Sequence, residues 1–175
     1  MRNLFLSIAL LICSISSAQF LQVNDKEDAQ IIAWLDPTFT DAGIHIGVEV
    51  NKQLLWGWVS LGVSHYEALN PSYTDLIGSG GFNFTMFEKQ TIRIYTGPRI
   101  GVSYRDGNPY PLVGGVLGFE VDFGNGFTGG LRGWIDWRED QKDEFFGDED
   151  AYKPGLITDH PLLQENGAIV FGFKF

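Results

Sequence analysis

The chain has 175 residues, enough for one domain, with 22 glycines, 14% aromatic residues and a single cysteine. Its formal net charge of −10 argues against nucleic acid as a partner, because phosphate binding needs a basic patch. Seven prolines and 44% apolar residues exclude a disordered composition.

The first residues, "MRNLFLSIALLICSISSAQF", carry a positive start at Arg2 and an apolar stretch over 4–15. Ser16 and Ala18 are small residues at the two positions a signal peptidase requires. This predicts a secretory signal over 1–18, and the apolar run is too short for a spanning helix, which needs roughly 20 residues. A lipoprotein signal cut before Cys13 is the competing reading, but Ile12 is bulky where such signals carry a small residue. With the signal removed the chain has no cysteine, so an exported domain must be held by its own fold.

A short polar lead is expected over 19–28, and a β-barrel over 29–175. No long 3.6-residue period appears; alternation does. "AQIIAWLDP" reads as a first strand of undecided register. In "GIHIGVEV", Ile44, Ile46, Val48 and Val50 oppose His45, Gly47 and Glu49. In "LLWGWVSLGVSHY", Val59, Leu61 and Val63 suggest an outer face, with Trp56 and Trp58 turned inward or set on a bulge. In "GFNFTMF", Phe82, Phe84 and Met86 oppose Asn83 and Thr85. "TIRIYTGPRIGVSYR" is the clearest strand: Ile92, Ile94, Ile100 and Val102 share one face, and Arg93, Arg99 and Arg105 the other. In "PLVGGVLGFEVDF", Leu117 and Phe119 alternate with Gly118, Glu120 and Asp122. In "FTGGLRGWIDW", Leu131 and Ile135 alternate with Arg132, Trp134 and Asp136. The chain ends "GAIVFGFKF", placing Ile169, Phe171, Phe173 and Phe175 on one face. This makes eight strands. The expected connections alternate in length: 51–53, 87–90 and 124–126 short, and 37–42, 65–75, 105–111 and 138–161 longer.

This pattern resembles the small eight-stranded outer-membrane β-barrels of Gram-negative bacteria, the OmpA/OmpX type. The resemblance covers nearly the whole chain after the signal, and its most specific part is the terminal strand. It implies an all-β, antiparallel, up-and-down transmembrane barrel with short periplasmic turns and longer external loops. It further implies that Ile169, Phe171, Phe173 and Phe175 form the signal read by the barrel-assembly machinery, and that outer-membrane lipid surrounds the barrel. Phe87, Phe123, Phe127 and Phe175, beside the short turns, are expected in an interfacial girdle. A soluble lipocalin-like barrel binding a small apolar ligand shows the same alternation. The glycine- and charge-rich polar faces argue against it, because a solvated surface would carry more Lys, Glu and Thr.

Candidate chemistry is sparse. His45, His65 and His160 lack zinc spacing. Ser64, His65 and Glu67 in "SHYE" fall on opposite faces of a strand, which opposes a hydrolytic triad. The expectation is a protein that is not an enzyme and has no cofactor. Glu139, Asp140, Asp143, Glu144, Asp148, Glu149 and Asp150 predict an external, solvated acidic loop; calcium binding is an alternative, although EF-hand spacing is absent. Glu49, Arg93, Arg99, Glu120, Arg132 and Asp136 predict a lumen charge network. Glu120 is expected to be the nearest partner of Arg99 and Arg132, with Glu49 or Asp136 completing the network. Eight strands leave an interior just wide enough for side chains to fill, which favours an ionic plug over a narrow pore. The expected role is structural or surface-binding, through the external loops.

Overall fold

The computed structural model describes residues 21–23, 27–36, 43–68, 72–86, 91–141 and 162–175. The expected signal segment therefore lies outside the described residues, as do Phe87, His160 and the acidic residues from Asp143 to Asp150. The strands are β1 (Leu21–Val23), β2 (Ala29–Asp36), β3 (Gly43–Gln53), β4 (Gly57–Ala68), β5 (Tyr73–Met86), β6 (Ile92–Arg105), β7 (Asn108–Gly124), β8 (Phe127–Arg138) and β9 (Leu163–Lys174).

From β2 to β9 each strand pairs antiparallel with the next, and β9 returns to β2, with Gln30 opposite Lys174 and Leu35 opposite Ile169. This is a closed, all-antiparallel, up-and-down barrel of eight strands. Closure pairs the backbone groups that an open sheet leaves bare at its edges. Phe175 extends the seam, its N–H donating to the carbonyl of Ala29 at 3.0 Å. The short β1 lies outside the eight and pairs with β5, Gln22 opposite Thr85.

Three expected connections differ. β4 runs on to Ala68 and β5 begins at Tyr73, so much of the loop expected over 65–75 is strand. β3 continues through Gln53, which moves that turn to Leu54, Leu55 and Trp56. The loop expected over 105–111 is a two-residue hairpin turn. Asp106 and Gly107 both take positive φ, 51° and 78°, and Arg105 pairs directly with Asn108. That is the backbone of a type I′ turn, for which Asp-Gly is a preferred pair. The regular short–long alternation is correspondingly weaker: the connection over 139–162 is clearly longer than those at the opposite end, whereas 37–42 spans six residues against five over 87–91.

Candidate functional site: a filled lumen inside an apolar belt

The barrel is inverted relative to a water-soluble one. Its buried residues include Gln30, Asn51, Asp75, Asn83 and five arginines, while its large aliphatic and aromatic residues lie outside. β3 exposes Ile44, Ile46, Val48 and Val50; β4 exposes Val59, Leu61 and Val63; β9 exposes Ile169, Phe171 and Phe173. Contiguous exposed apolar surface on this scale marks an interaction with protein or membrane. At the turn end of the barrel Trp56, Phe123, Phe127 and Phe175 all project outward. Near the loop end the outward face of β4 becomes polar. There the ring of His65 bridges Glu67 Oε2 and Thr74 Oγ1, each at 2.9 Å. His65 lies nine residues along from Trp56, which precedes β4. At roughly 3.3 Å per residue and a tilt of about 40°, that spans about 23 Å along the barrel axis, close to the band of about 25 Å on outer-membrane barrels.

Inside, each of the five arginines meets an acid. Nearest the turn end, Arg93 donates to Glu120 at 2.7 Å, and Gln30 reaches across to the same Glu120 oxygen at 3.2 Å. Above it Arg132 forms two parallel bonds to Glu49, at 2.7 and 2.8 Å, and donates through Nε to the Tyr95 hydroxyl. Next, Arg99 Nε lies 2.9 Å from Asp136 Oδ1, and its guanidinium sits over the Trp134 ring. At the loop end Arg138 grips Asp75 with two bonds, at 2.8 and 3.0 Å, and also bonds Asp140 and Ser103. Arg105 donates to the Asp140 carbonyl, and Arg105 and Arg138 both lie against the Tyr73 ring. Paired, doubly bonded arginines answer the desolvation that an isolated buried charge would suffer.

Aromatic and aliphatic side chains fill the space between these pairs. Ile32, Trp34, Trp58, Tyr95, Val116, Trp134, Ala168 and Val170 form one buried cluster inside the lumen. The glycines of the inward faces make this packing possible. A Cβ at Gly118 would run into the Tyr95 ring, and one at Gly47 into the Trp34 indole. A void of about 10 Å³ lies among Trp34, Trp58, Glu49, Arg99 and Arg132, room for about one water.

The sequence-predicted lumen residues Glu49, Arg93, Arg99, Glu120, Arg132 and Asp136 are all buried, but their pairing differs from expectation. Glu120 serves Arg93, its direct cross-strand neighbour, rather than Arg99 or Arg132. Arg132 crosses the lumen to Glu49, and Arg99 takes Asp136. Asp140, expected in the solvated acidic loop, is fully buried, because a 3-10 turn over Glu139–Gln141 folds it into the mouth beside Arg138. Trp58 is buried, whereas Trp56, before the strand, is 75% exposed. Asp75 and Tyr73 were missed by sequence reasoning; the alternation of Tyr73, Asp75 and Ile77 with Thr74 and Leu76 was the available signal.

Ser64 and His65 do face opposite ways. Ser64 instead lies 3.3 Å from Nε2 of His45, but His45 Nδ1 has no hydrogen-bond partner and both residues are buried. The pair thus lacks both an orienting acid on Nδ1 and exposure to a substrate. Among the described residues no cluster of His, Cys, Asp and Glu has the geometry to hold a metal ion. No protein-family model matches the chain, and no curated protein or solved structure matches it either.

Proposed function

We propose that this chain is a non-enzymatic outer-membrane β-barrel protein. Its role is structural or surface-binding, exercised by the connections at its loop end, which face outside the cell. The observation that carries this reading is the inverted distribution of residues: large apolar side chains cover the outside of every barrel strand, while the charges are paired in the lumen. Hydrocarbon accepts that exterior, and closure satisfies the backbone within it. A soluble barrel with this surface would aggregate. Among the described residues no helix is long and apolar enough to cross a membrane; on this reading the crossing is made by strands. Outer-membrane lipid and the barrel-assembly machinery are the partners this reading requires. The packed lumen supports a structural role over conduction.

The test is expression of the full chain in a Gram-negative host. The protein is expected in the outer-membrane fraction after an alkaline wash, with faster gel mobility before boiling than after. Release into the soluble fraction by the wash would refute the proposal. Protease added to intact cells is expected to cut within 142–161 and to spare the turn at Asn125 and Gly126; the reverse pattern would invert the orientation.

A further inference from the structure

The connection between β8 and β9 is fixed at both of its ends to one buried residue, Tyr73. At the departing end the chain does not run straight out of the mouth. It makes a 3-10 turn over Glu139–Gln141, which carries Asp140 back inside, where it is fully buried. Arg138 Nε and Nη2 donate to the two carboxylate oxygens of Asp140 at 3.1 and 3.2 Å, and the Ser103 hydroxyl donates to one of them at 3.4 Å. Arg105 donates to the Asp140 carbonyl at 3.0 Å, so the backbone is held along with the side chain. At the returning end the Leu162 carbonyl accepts from the Arg138 N–H at 2.8 Å, and the Gln164 side-chain amide donates to the Tyr73 hydroxyl at 3.1 Å. The Tyr73 ring lies 4.0 Å from the Arg138 guanidinium and 5.0 Å from that of Arg105. Tyr73 thus joins the two ends, one through the arginines stacked on its ring and the other through its hydroxyl.

We infer that Asp140 is a positioning residue for the β8–β9 connection. Anchored in the lumen mouth, it sets where the chain leaves the barrel and ties that departure to the return at 162–164. The inference rests on the proposed surface-binding role only for what the connection is used for. Charge explains why the anchor holds. Arg105 and Arg138 face Asp75 and Asp140 here. Withdrawing Asp140 would leave two buried guanidinium groups sharing one carboxylate, and a buried ion pair broken on one side is strongly destabilising. A connection held at both ends also loses less conformational freedom when it meets a partner. The anchor therefore serves recognition as well as the fold.

The experiment uses the full chain in detergent, with Asp140→Ala alone and combined with Arg105→Met. Amide exchange over 139–141 and 162–164 and the midpoint of chemical unfolding are measured for each. In Asp140→Ala both segments are expected to exchange about tenfold faster or more, as a local opening would make them, and the midpoint is expected to fall. The double variant removes the excess positive charge without restoring the anchor. Its midpoint is expected to recover while both segments still exchange fast. If Asp140→Ala leaves either segment at its original rate, the two ends are not tied through Asp140 and the inference is overturned. If the double variant restores slow exchange together with the midpoint, Asp140 is only a counter-ion, and the inference is overturned as well. Neither measurement reads membrane location or binding, so failure here would leave the proposed function standing.

Discussion

At the scale of single residues, the lumen pairs should dominate the response to mutation. Glu49 is the bidentate partner of buried Arg132. Glu49→Ala leaves that guanidinium without its acid, and loss of about 3–5 kcal/mol is expected in chemical unfolding, as for other buried pairs broken on one side. Glu67→Ala, on an exposed pair, should cost less than about 1 kcal/mol. The double variant Glu49→Leu/Arg132→Met removes both charges and should recover most of the loss; a strictly additive cycle would show that the two do not act as a pair. Gly118→Ala tests the packing instead. Its methyl group must displace the Tyr95 ring, and about 1–3 kcal/mol should be lost. Residue identity on the inward faces was legible in the sequence; pairing was not. Glu120 and Arg132 look level when counted from the turn, but the register sets Glu120 opposite Gly130 and Arg132 opposite Gly118. Arg132 then reaches across the barrel, a direction that strand spacing does not encode.

At the scale of elements, alternation located the core of each barrel strand and misjudged several ends. The β6–β7 hairpin shows why. Pro109 and Pro111 read as loop residues, but β8 ends at Arg138 opposite Leu112, so this stretch of β7 has a strand partner on one flank only. Proline is tolerated at such an edge, and the Asp-Gly signal outweighed it. Gly107→Ala forces a Cβ onto a residue at φ 78° and should cost about 1 kcal/mol, with the hairpin's amides losing exchange protection first. Gly78, Gly80 and Gly81 dilute the alternation of β5 in the sequence, which hides its first half and Asp75 with it. At the other terminus, the Phe175 N–H closes onto Ala29 and its ring projects outward. Phe175→Ala is expected to lower the yield of assembled barrel while leaving the lumen pairs intact. An unchanged yield would remove the assembly role proposed for that residue.

At the scale of the whole molecule, one substitution separates a membrane barrel from a soluble one. Leu61 lies midway along the outward face of β4 and is 62% exposed. In a bilayer, Leu61→Arg places a cation near the hydrocarbon midplane and should cost about 2–4 kcal/mol. In water the same change would be nearly neutral, so unfolding in lipid vesicles decides between the two. The length of the ion pairs along the chain has a kinetic consequence. Arg132 lies 83 positions from Glu49, and Arg138 lies 63 from Asp75. Strands β3 and β5 thus carry carboxylates, Glu49 and Asp75, whose counter-ions arrive only with β8. A nascent sheet that entered lipid strand by strand would bring naked charge with it. On the proposed membrane reading, the growing chain therefore has a reason to wait, half-finished, at the water boundary until its second half arrives and insertion and closure occur as one event.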